Sequence, residues 1–170
     1  MKREESKIYD ECHRMLYFTA LRILNDNYEA EEVMHDTLLK FFKKRPTLST
    51  TQERDAWMRR VCINLSIDVL RKKKKVDFEK INELVMGEAD MGSGITEYDT
   101  DTYSFNGISV QKVKEEVGKL APGYRIILSL FLFEGYDYEE ISEIMNIEES
   151  TVRSQYLRGR LRLIKNISNG

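Results

Sequence analysis

Apolar residues recur at helical spacing in two blocks of this chain, and the stretch between the blocks lacks that spacing. In the first block they return every three or four positions through residues 8–23 and 57–70. In the second block the spacing resumes at Val110 and extends to Ile167. Such spacing places apolar side chains on one face of a helix, where they can form a core. We therefore predict an all-α fold with two small helical domains, the first of them a helical bundle.

The intervening residues 76–108 carry eight acidic residues and a single basic one, Lys80, which gives the stretch a net charge of -7. Glycine, serine, threonine and aspartate cluster in it, as is typical of loops. Its 33 residues exceed the length of an ordinary connection inside a compact domain. We predict a flexible acidic linker, either a tether between domains or a segment that a partner orders. The predicted domains are residues 1–75, 76–108 and 109–170.

Turn and capping residues set the predicted helix ends in the first block. Asp26 or Asn27 caps the second helix, because either side chain can accept a hydrogen bond from the free amides of the first turn. Pro46 ends that helix, since proline cannot continue its hydrogen bonding. We expect the polar stretch after Pro46 to be turn-like and the third helix to run from Asp55 to Lys75.

The second block carries its own boundary signals. Pro122 is expected to open a helix, because proline is favoured at the first helical position. Asp137 is expected to cap a short helix, with Glu140 in the capping-box position three residues later. Asn146 suits the left-handed turn that ends this helix, and a last helix follows over about residues 149–167. A short helix, a turn and a second helix together describe a helix-turn-helix.

The second helix of this motif is basic. After Glu149 the chain carries five basic residues and no acidic one. In a helix-turn-helix that binds DNA, the second helix enters the major groove, where its exposed side chains contact bases and phosphates. The side chains that we expect to stay free for DNA are Thr151, Arg153, Ser154, Gln155 and Arg158. A basic helix taken alone is more often a solvated surface, so the prediction depends on the whole ordered motif.

The predicted third helix is basic as well, and residues 1–75 hold 17 Lys and Arg against 12 Asp and Glu. The side chains on its polar face that we expect to contact nucleic acid are Arg60, Asn64, Arg71 and Lys72. Those expected to face inward are Trp57, Val61 and Leu65. A lysine run can also be merely flexible and solubilising. Two cationic segments separated by an acidic one nevertheless indicate a polyanion that is contacted at two places.

At these positions the chain resembles the extracytoplasmic-function (ECF) sigma factors, the promoter-recognition subunits of bacterial RNA polymerase. Residues 29–42, EAEEVMHDTLLKFF, resemble the region-two helix that docks on the polymerase clamp. Residues 57–72, WMRRVCINLSIDVLRK, resemble the promoter-opening helix, and residues 118–163 are similar to region four. Two positions depart from the family pattern, since His35 stands in place of the common Gln and Glu148 in place of a Ser or Thr cap.

The resemblance implies a sigma factor that binds core RNA polymerase and directs it to promoters. Region four would bind the minus-thirty-five element through the helix-turn-helix. Region two would capture the melting minus-ten element with Arg60, Asn64 and a base pocket in the loop over residues 46–52. The side chains implied for polymerase contact are Glu32, His35, Asp36 and Leu39. The resemblance also implies an anti-sigma factor as a partner, and an acidic linker that follows polymerase channels suited to nucleic acid.

The sequence gives little support for catalysis, metal binding or membrane insertion. No nucleophile and base pairing, Gly-rich phosphate loop or zinc spacing is present, so we predict neither an enzyme nor a cofactor. Glu32 and His35 form one Glu-x-x-His pair, and a di-iron site needs a second, so no metal is predicted. Cys12 and Cys62 lie in helical patterns, which favours reduced, buried thiols in a cytoplasmic protein. No signal peptide, membrane-length apolar run or coiled-coil heptad is evident, and we expect a monomer when the chain is free.

Two other functions fit parts of the sequence. A DNA-binding regulator could use the helix-turn-helix without polymerase, with the N-terminal helices serving dimerisation or sensing. A polymerase-binding adaptor without DNA specificity would not need Arg153 and Arg158. Residues 29–72 separate a free-standing regulator from a sigma factor, because the regulator has no need for a basic, Trp-led helix preceded by a polar loop.

Overall fold

The computed structural model describes residues 2–73 and 107–169. The chain divides into two compact units, Met1–Lys75 and Val76–Gly170. Every regular element in the two described ranges is helical, which confirms the predicted all-α fold with two helical parts. The flexible linker predicted over residues 76–108 lies outside the described residues, apart from its last two positions.

Three helices form the N-terminal unit, and each packs against the other two. They are α1 (Lys2–Leu24), α2 (Asn27–Lys44) and α3 (Thr51–Lys72). Asn25 adopts the left-handed conformation, with a φ of 54°, directly after the end of α1. Asp26 then caps α2, as predicted, by accepting a hydrogen bond from the backbone N–H of Glu29 at 2.9 Å.

The third helix begins earlier than the sequence analysis predicted. Thr50 caps it by accepting a hydrogen bond from the Glu53 N–H at 3.1 Å, and the Glu53 carboxylate accepts one from the Ser49 N–H at 2.8 Å. The first bond satisfies an amide that the new helix leaves free, and the second ties the Glu53 carboxylate to the residue before the cap. The prediction of a turn-like stretch up to Asp55 was therefore wrong. The first turn of α3 carries no apolar repeat, so helical spacing could not reveal it.

The core of the N-terminal unit forms where apolar faces of the three helices meet. Its side chains that are at most 3% exposed include Leu16, Ile23, Val33, Leu38, Met58, Ile63, Ile67 and Leu70. Cys12 and Cys62 are buried thiols that form no disulfide, as predicted. The Cys62 thiol donates to the Leu16 carbonyl at 3.3 Å, and this bond links α3 to α1 inside the core.

The C-terminal unit contains four α-helices in its described part. They are α4 (Val110–Gly118), α5 (Pro122–Leu128), α6 (Tyr138–Met145) and α7 (Glu149–Asn169). Pro122 opens α5 as predicted. A π-helical turn, Ser129–Phe133, follows α5, and the Glu134 N–H donates to the Ser129 carbonyl five residues back at 3.2 Å. The sequence does not predict this turn, because a continuous apolar run does not distinguish π from α winding.

The helix-turn-helix predicted from the sequence comprises α6, a turn and α7. Asp137 caps α6 by accepting a hydrogen bond from the Glu140 N–H at 2.8 Å, and Asn146 ends it with a φ of 56°. The apolar side chains that lock the two helices together are at most 9% exposed: Ile141, Ile144, Ile147 and Val152. Both capping predictions are confirmed.

Candidate nucleic-acid interface

A cleft of about 130 Å³ opens between α2 and α3. It is lined by Lys40, Lys44, Trp57, Val61, Asn64, Leu65 and Asp68. The two lysines come from the C-terminal part of α2, where the helix dipole favours positive charge. The other five residues lie on successive turns of α3, with Asn64 and Leu65 adjacent, so one face of that helix forms the opposite wall.

The face of α3 that lines the cleft is the one that the sequence analysis placed in the core. Trp57, Val61 and Leu65 are half-buried, whereas Met58, the next residue after Trp57, is fully buried. The prediction that these three side chains face the core was therefore wrong. Two neighbouring stripes of α3 are apolar, and the pattern alone does not say which one meets α1 and α2. The indole of Trp57 packs edge-on against Phe41 of α2, with 5.7 Å between ring centroids.

The cleft combines groups that bind single-stranded nucleic acid. An indole ring is a stacking surface for an unpaired base, and an asparagine amide can both donate to and accept from a base edge. Asn64 is exposed and lines the same cleft as Trp57, and the lysine ammonium groups supply positive charge for phosphates. Asp68 lies 3.5 Å from the guanidinium of Arg71, and both side chains are well exposed, so this ion pair is screened by water.

The loop that was expected to form the base pocket is shorter than predicted. Residues 51 and 52 are helical, so the irregular segment ends at Thr50. A second cavity, of about 160 Å³, lies where the segment meets α1, and it is lined by Glu4, Glu5, Ile8, Phe41, Phe42, Arg45 and Pro46. Arg45 has a φ of 42° and its guanidinium pairs with the Glu5 carboxylate at 3.0 Å. The amide and indole suited to a base lie in the cleft between α2 and α3, and not in this second cavity.

The basic residues at the end of α3 do not form one uniform positively charged surface. Lys73 forms an ion pair with Glu29 at the start of α2, and the carboxylate of Glu29 is only 5% exposed. The hydrogen bond that the Lys73 ammonium donates to the Glu29 carboxylate raises the pKa of Lys73. Lys73 therefore neutralises a buried acid of its own unit. Arg71 and Lys72 remain exposed on the surface, as the predicted DNA contacts require.

The helix α7 exposes fewer of its predicted DNA contacts than the sequence analysis expected. Arg153 is exposed and Ser154 is half-buried. Thr151, Gln155 and Arg158 are only 2%, 6% and 6% exposed. The prediction that all five side chains are free was wrong for these three. Each is adjacent in sequence to a buried apolar residue, Val152, Tyr156 or Leu157, so the packed face of α7 is wider than the apolar stripe indicates.

The exposed Arg153 has an aromatic neighbour that the sequence analysis missed. Its guanidinium carbon lies 5.4 Å from the ring centroid of Tyr138, the first residue of α6. The pairing joins the start of one helix to the second turn of the next. Helical spacing within a single segment cannot reveal such a contact, and the cap at Asp137 marks only where α6 begins.

The outer face of α2 presents the side chains that were predicted to contact polymerase. Glu32, His35 and Asp36 are exposed, and Leu39 is 54% exposed. They recur at intervals of three or four residues, so they share one face of the helix. The ring of His35 stacks nearly parallel to that of Tyr9 on α1, with 6.2 Å between centroids. The face thus offers acidic, aromatic and apolar groups together.

Within residues 2–73 and 107–169, no group of three or more His, Cys, Asp and Glu side chains is arranged to hold a metal ion. Among the helices of the same ranges, none combines the length and the apolar character needed to cross a membrane.

Comparison with known proteins assigns both units to one family. Residues 8–76 match the family model for Sigma-70 region 2, and residues 110–163 match the model for Sigma-70, region 4. The ECF RNA polymerase sigma factor SigW of Bacillus subtilis is 27% identical over 168 residues, which cover 96% of this chain and 84% of SigW. The ECF sigma factor SigL of Mycobacterium tuberculosis is 26% identical over 149 residues, which cover 87% of this chain and 80% of SigL. The chain belongs to the ECF sigma factors.

The fold agrees with that of a solved sigma factor. The sigma factor RpoE of Bartonella quintana, crystallised in complex with the anti-sigma factor NepR, shares the fold with a TM-score of 0.57 at 18% identity. The match covers 99% of this chain and 98% of the other.

Family membership fixes the general role of the two units. As an ECF sigma factor, the chain binds core RNA polymerase and directs it to promoters. The helices α1 to α3 fall in region 2, and α4 to α7 fall in region 4. The region 2 match includes residues 29–72, which were the segment expected to separate a sigma factor from a free-standing regulator. The match decides between these two functions in favour of the sigma factor.

Proposed function

We propose that this sigma factor opens promoters by capturing a melted minus-ten strand in the cleft between α2 and α3. Trp57 stacks on an unpaired base, and Asn64 contacts the edge of that base. Lys40 and Lys44 neutralise phosphates at the rim. The cleft carries the proposal, because it brings an indole, an amide and two ammonium groups around one cavity. The remaining predicted contacts on α3, Arg60, Arg71 and Lys72, bind the backbone of the same strand.

Region four binds the minus-thirty-five element as duplex in this proposal. Arg153 and Ser154 support this role, since they lie near the N-terminal end of the second helix of the helix-turn-helix and are exposed or half-exposed. Residues in that part of the helix contact base edges in the major groove. Thr151, Gln155 and Arg158 are buried, so the proposal assigns the first contacts with bases to Arg153 and Ser154.

The polymerase surface is assigned to the outer face of α2. Glu32, His35, Asp36 and Leu39 support this assignment by being exposed together on one side of the helix. An anti-sigma factor that holds the chain away from polymerase is a further proposed partner, supported by the fold shared with a sigma factor solved in such a complex. Initiation takes place on the chromosome, so we place the chain in the cytoplasm, acting as an initiation factor and not as an enzyme.

Transcription with purified components tests the proposal. The chain, combined with core polymerase of its own host, should initiate at defined sites in a genomic promoter library. Asn64→Ala should reduce promoter opening, followed by the fluorescence of an unpaired-base probe at the minus-ten element, by tenfold or more. Duplex binding should change by less than about threefold, because Asn64 lies in the cleft and a base enters the cleft only after melting.

A matched control is available on the same helix. Arg59 is exposed on α3 but does not line the cleft, so Arg59→Ala should leave opening within about twofold of the natural chain. Equal losses of opening and duplex binding in Asn64→Ala would contradict the role of the cleft. Failure to initiate anywhere in the library would contradict promoter recognition by this chain with that polymerase.

A further inference from the structure

Three aromatic rings lie together beneath the exposed arginine of the helix-turn-helix. Phe131 stacks on Tyr138 with 5.1 Å between centroids and 22° between planes. Tyr156 on α7 lies 4.4 Å from Phe131 and 5.7 Å from Tyr138. Tyr156 is 5% exposed, so the cluster is anchored in the core of the unit. We refer to Phe131, Tyr138 and Tyr156 as the aromatic triad.

Phe131 and Tyr156 both pack against Tyr138, and the guanidinium of Arg153 lies over the Tyr138 ring. The guanidinium carbon of Arg153 lies 5.4 Å from the Tyr138 centroid, within the range of a cation–π contact. Tyr138 is half-buried and Arg153 is exposed, so the contact sits at the boundary between the packed unit and solvent.

The π-helical turn supplies the third ring. Phe131 is the central residue of the π-helical turn Ser129–Phe133. Two backbone hydrogen bonds at this turn span more residues than in an α-helix. The Glu134 N–H donates to the Ser129 carbonyl, five residues back, and the Tyr136 N–H donates to the Leu130 carbonyl, six residues back. Such a turn inserts extra backbone into a helix and redirects the side chains around it, and π turns of this kind recur at functional sites. The ring that stacks on Tyr138 belongs to this turn.

An arginine on a helix surface samples many rotamers, and ordering it against DNA costs conformational entropy. A guanidinium that already lies on an aromatic ring has lost part of that freedom. Its N–H donors remain at the edge of the plane, where they can meet a guanine or a phosphate. The stack therefore lowers the cost of ordering Arg153 when the helix enters the major groove.

We propose that Tyr138 is a positioning residue for promoter recognition, which pre-orders Arg153 for the minus-thirty-five element through the aromatic triad. This inference rests on the proposed role of Arg153 in duplex binding. It adds a residue outside the recognition helix, and the π-helical turn behind it, to the machinery that reads the upstream element.

A double-mutant cycle in the full chain, assembled with core polymerase, tests the inference. The affinity of the holoenzyme for the upstream duplex element is measured for Tyr138→Leu, Arg153→Ala and the double variant. Tyr138→Leu should weaken binding by about two- to fivefold, which is the affinity that an exposed cation–π contact contributes. It should have no further effect when Arg153 is already alanine. Tyr138→Phe keeps the ring and should retain the natural affinity.

A second readout reports the contact directly. Ring currents of Tyr138 should shift the side-chain protons of Arg153 upfield in NMR spectra of the free chain. The shift should persist in Tyr138→Phe and vanish in Tyr138→Leu. The matched control is Phe133→Leu, which removes a half-buried ring from the same π-helical turn, together with its contact 5.7 Å from Lys114, but leaves the aromatic triad intact. It should change neither the Arg153 signals nor the affinity for DNA.

The outcomes separate the inference from the function on which it rests. Equal losses from Tyr138→Leu with and without Arg153 would reduce Tyr138 to a structural residue and overturn the inference, while leaving duplex binding by Arg153 in place. If Tyr138→Leu bound DNA with the natural affinity while Arg153→Ala bound it more weakly, the inference would be overturned as well. An Arg153→Ala variant of natural affinity would instead overturn the proposed role of Arg153, and the positioning role with it.

Discussion

At the scale of single residues, Gly159 sets how closely α7 approaches α5. A Cβ atom at this position would lie 2.5 Å from Leu128 Cδ1 and 3.1 Å from Tyr124 Cβ. Leu128 is fully buried, so it cannot move aside easily. The helix propensity of alanine favours the substitution by about 1 kcal/mol, whereas overpacking a core costs about 1–3 kcal/mol. The steric cost is therefore the larger of the two effects.

We predict that Gly159→Ala lowers the free energy of unfolding of the C-terminal unit by about 1 kcal/mol. Urea denaturation followed by far-UV circular dichroism would measure it. Gly118→Ala is the matched control, because a Cβ there meets nothing within 4 Å. This control should be neutral or slightly stabilising. A stabilised Gly159→Ala variant would mean that the contact between α5 and α7 relaxes at little cost.

Cys12 gives a prediction about pH. Its burial, and more weakly the neighbouring Asp55, to which the thiol donates a hydrogen bond at 3.7 Å, raise the pKa of the thiol from 9.0 to about 11. A raised pKa means that the folded state favours the protonated thiol. This contribution to stability is complete below about pH 9 and is lost as the pH rises towards 11.

The difference in unfolding free energy between the natural chain and Cys12→Ala should therefore shrink as the pH rises above 9. Denaturation curves of both chains between pH 7 and about pH 10.5 would measure it. Between pH 7 and pH 9, a thiol reagent should modify Cys12 only after the chain unfolds. A difference that stays constant up to pH 10.5 would show that the folded thiol ionises no less readily than the unfolded one.

At the scale of elements, the first turn of α3 depends on its cap. Thr50 accepts the Glu53 N–H, and Glu53 in return accepts the Ser49 N–H. Loss of such a cap costs about 1 kcal/mol. Thr50→Ala should therefore destabilise the N-terminal unit by about that amount, measured by denaturation followed by the fluorescence of Trp57. Thr47→Ala, an exposed threonine before the cap, should have no effect. Identical curves for the two variants would contradict the capping role.

The same elements show how far a sequence predicts this structure. The caps at Asp26 and Asp137 and the turn at Asn146 were predictable, because each depends on a bond within three residues or on one backbone conformation. The start of α3 was missed, since its cap precedes the first apolar repeat. The π-helical turn Ser129–Phe133 was missed because its apolar run fits either winding.

Among the candidate sites, the one on the surface of α2 was predicted from the sequence, and those formed between two helices were not. The polymerase-contact residues of α2 came from the resemblance to the ECF sigma factors, and all four are exposed. The cleft between α2 and α3 depends on which of two apolar stripes of α3 packs inward, and that choice is made by the partner helices. The stack of Arg153 on Tyr138 likewise joins two helices. Contacts between helices depend on how the helices pack against one another. The order of residues within one helix says little about that packing.

At the scale of the whole molecule, the two compact units correspond to two promoter elements in the proposed function. Trp57 is the single tryptophan of the chain and belongs to the N-terminal unit. Its fluorescence thus reports that unit, whereas circular dichroism reports helices of both. The variants Thr50→Ala and Gly159→Ala lie in different units, so together they can show whether the free chain unfolds as one body or as two.

We predict that each variant destabilises only its own unit. Thr50→Ala should lower the midpoint of the thermal transition seen by Trp57 fluorescence, and a loss of about 1 kcal/mol shifts the midpoint of a unit this size by about 4–8 °C. Gly159→Ala should leave that fluorescence transition unchanged and lower the midpoint of the remaining dichroism change by a similar amount. Equal shifts of both signals in both variants would show that the units unfold cooperatively. Independent units are what a factor needs if region 2 is to follow a melting strand while region 4 stays on intact duplex.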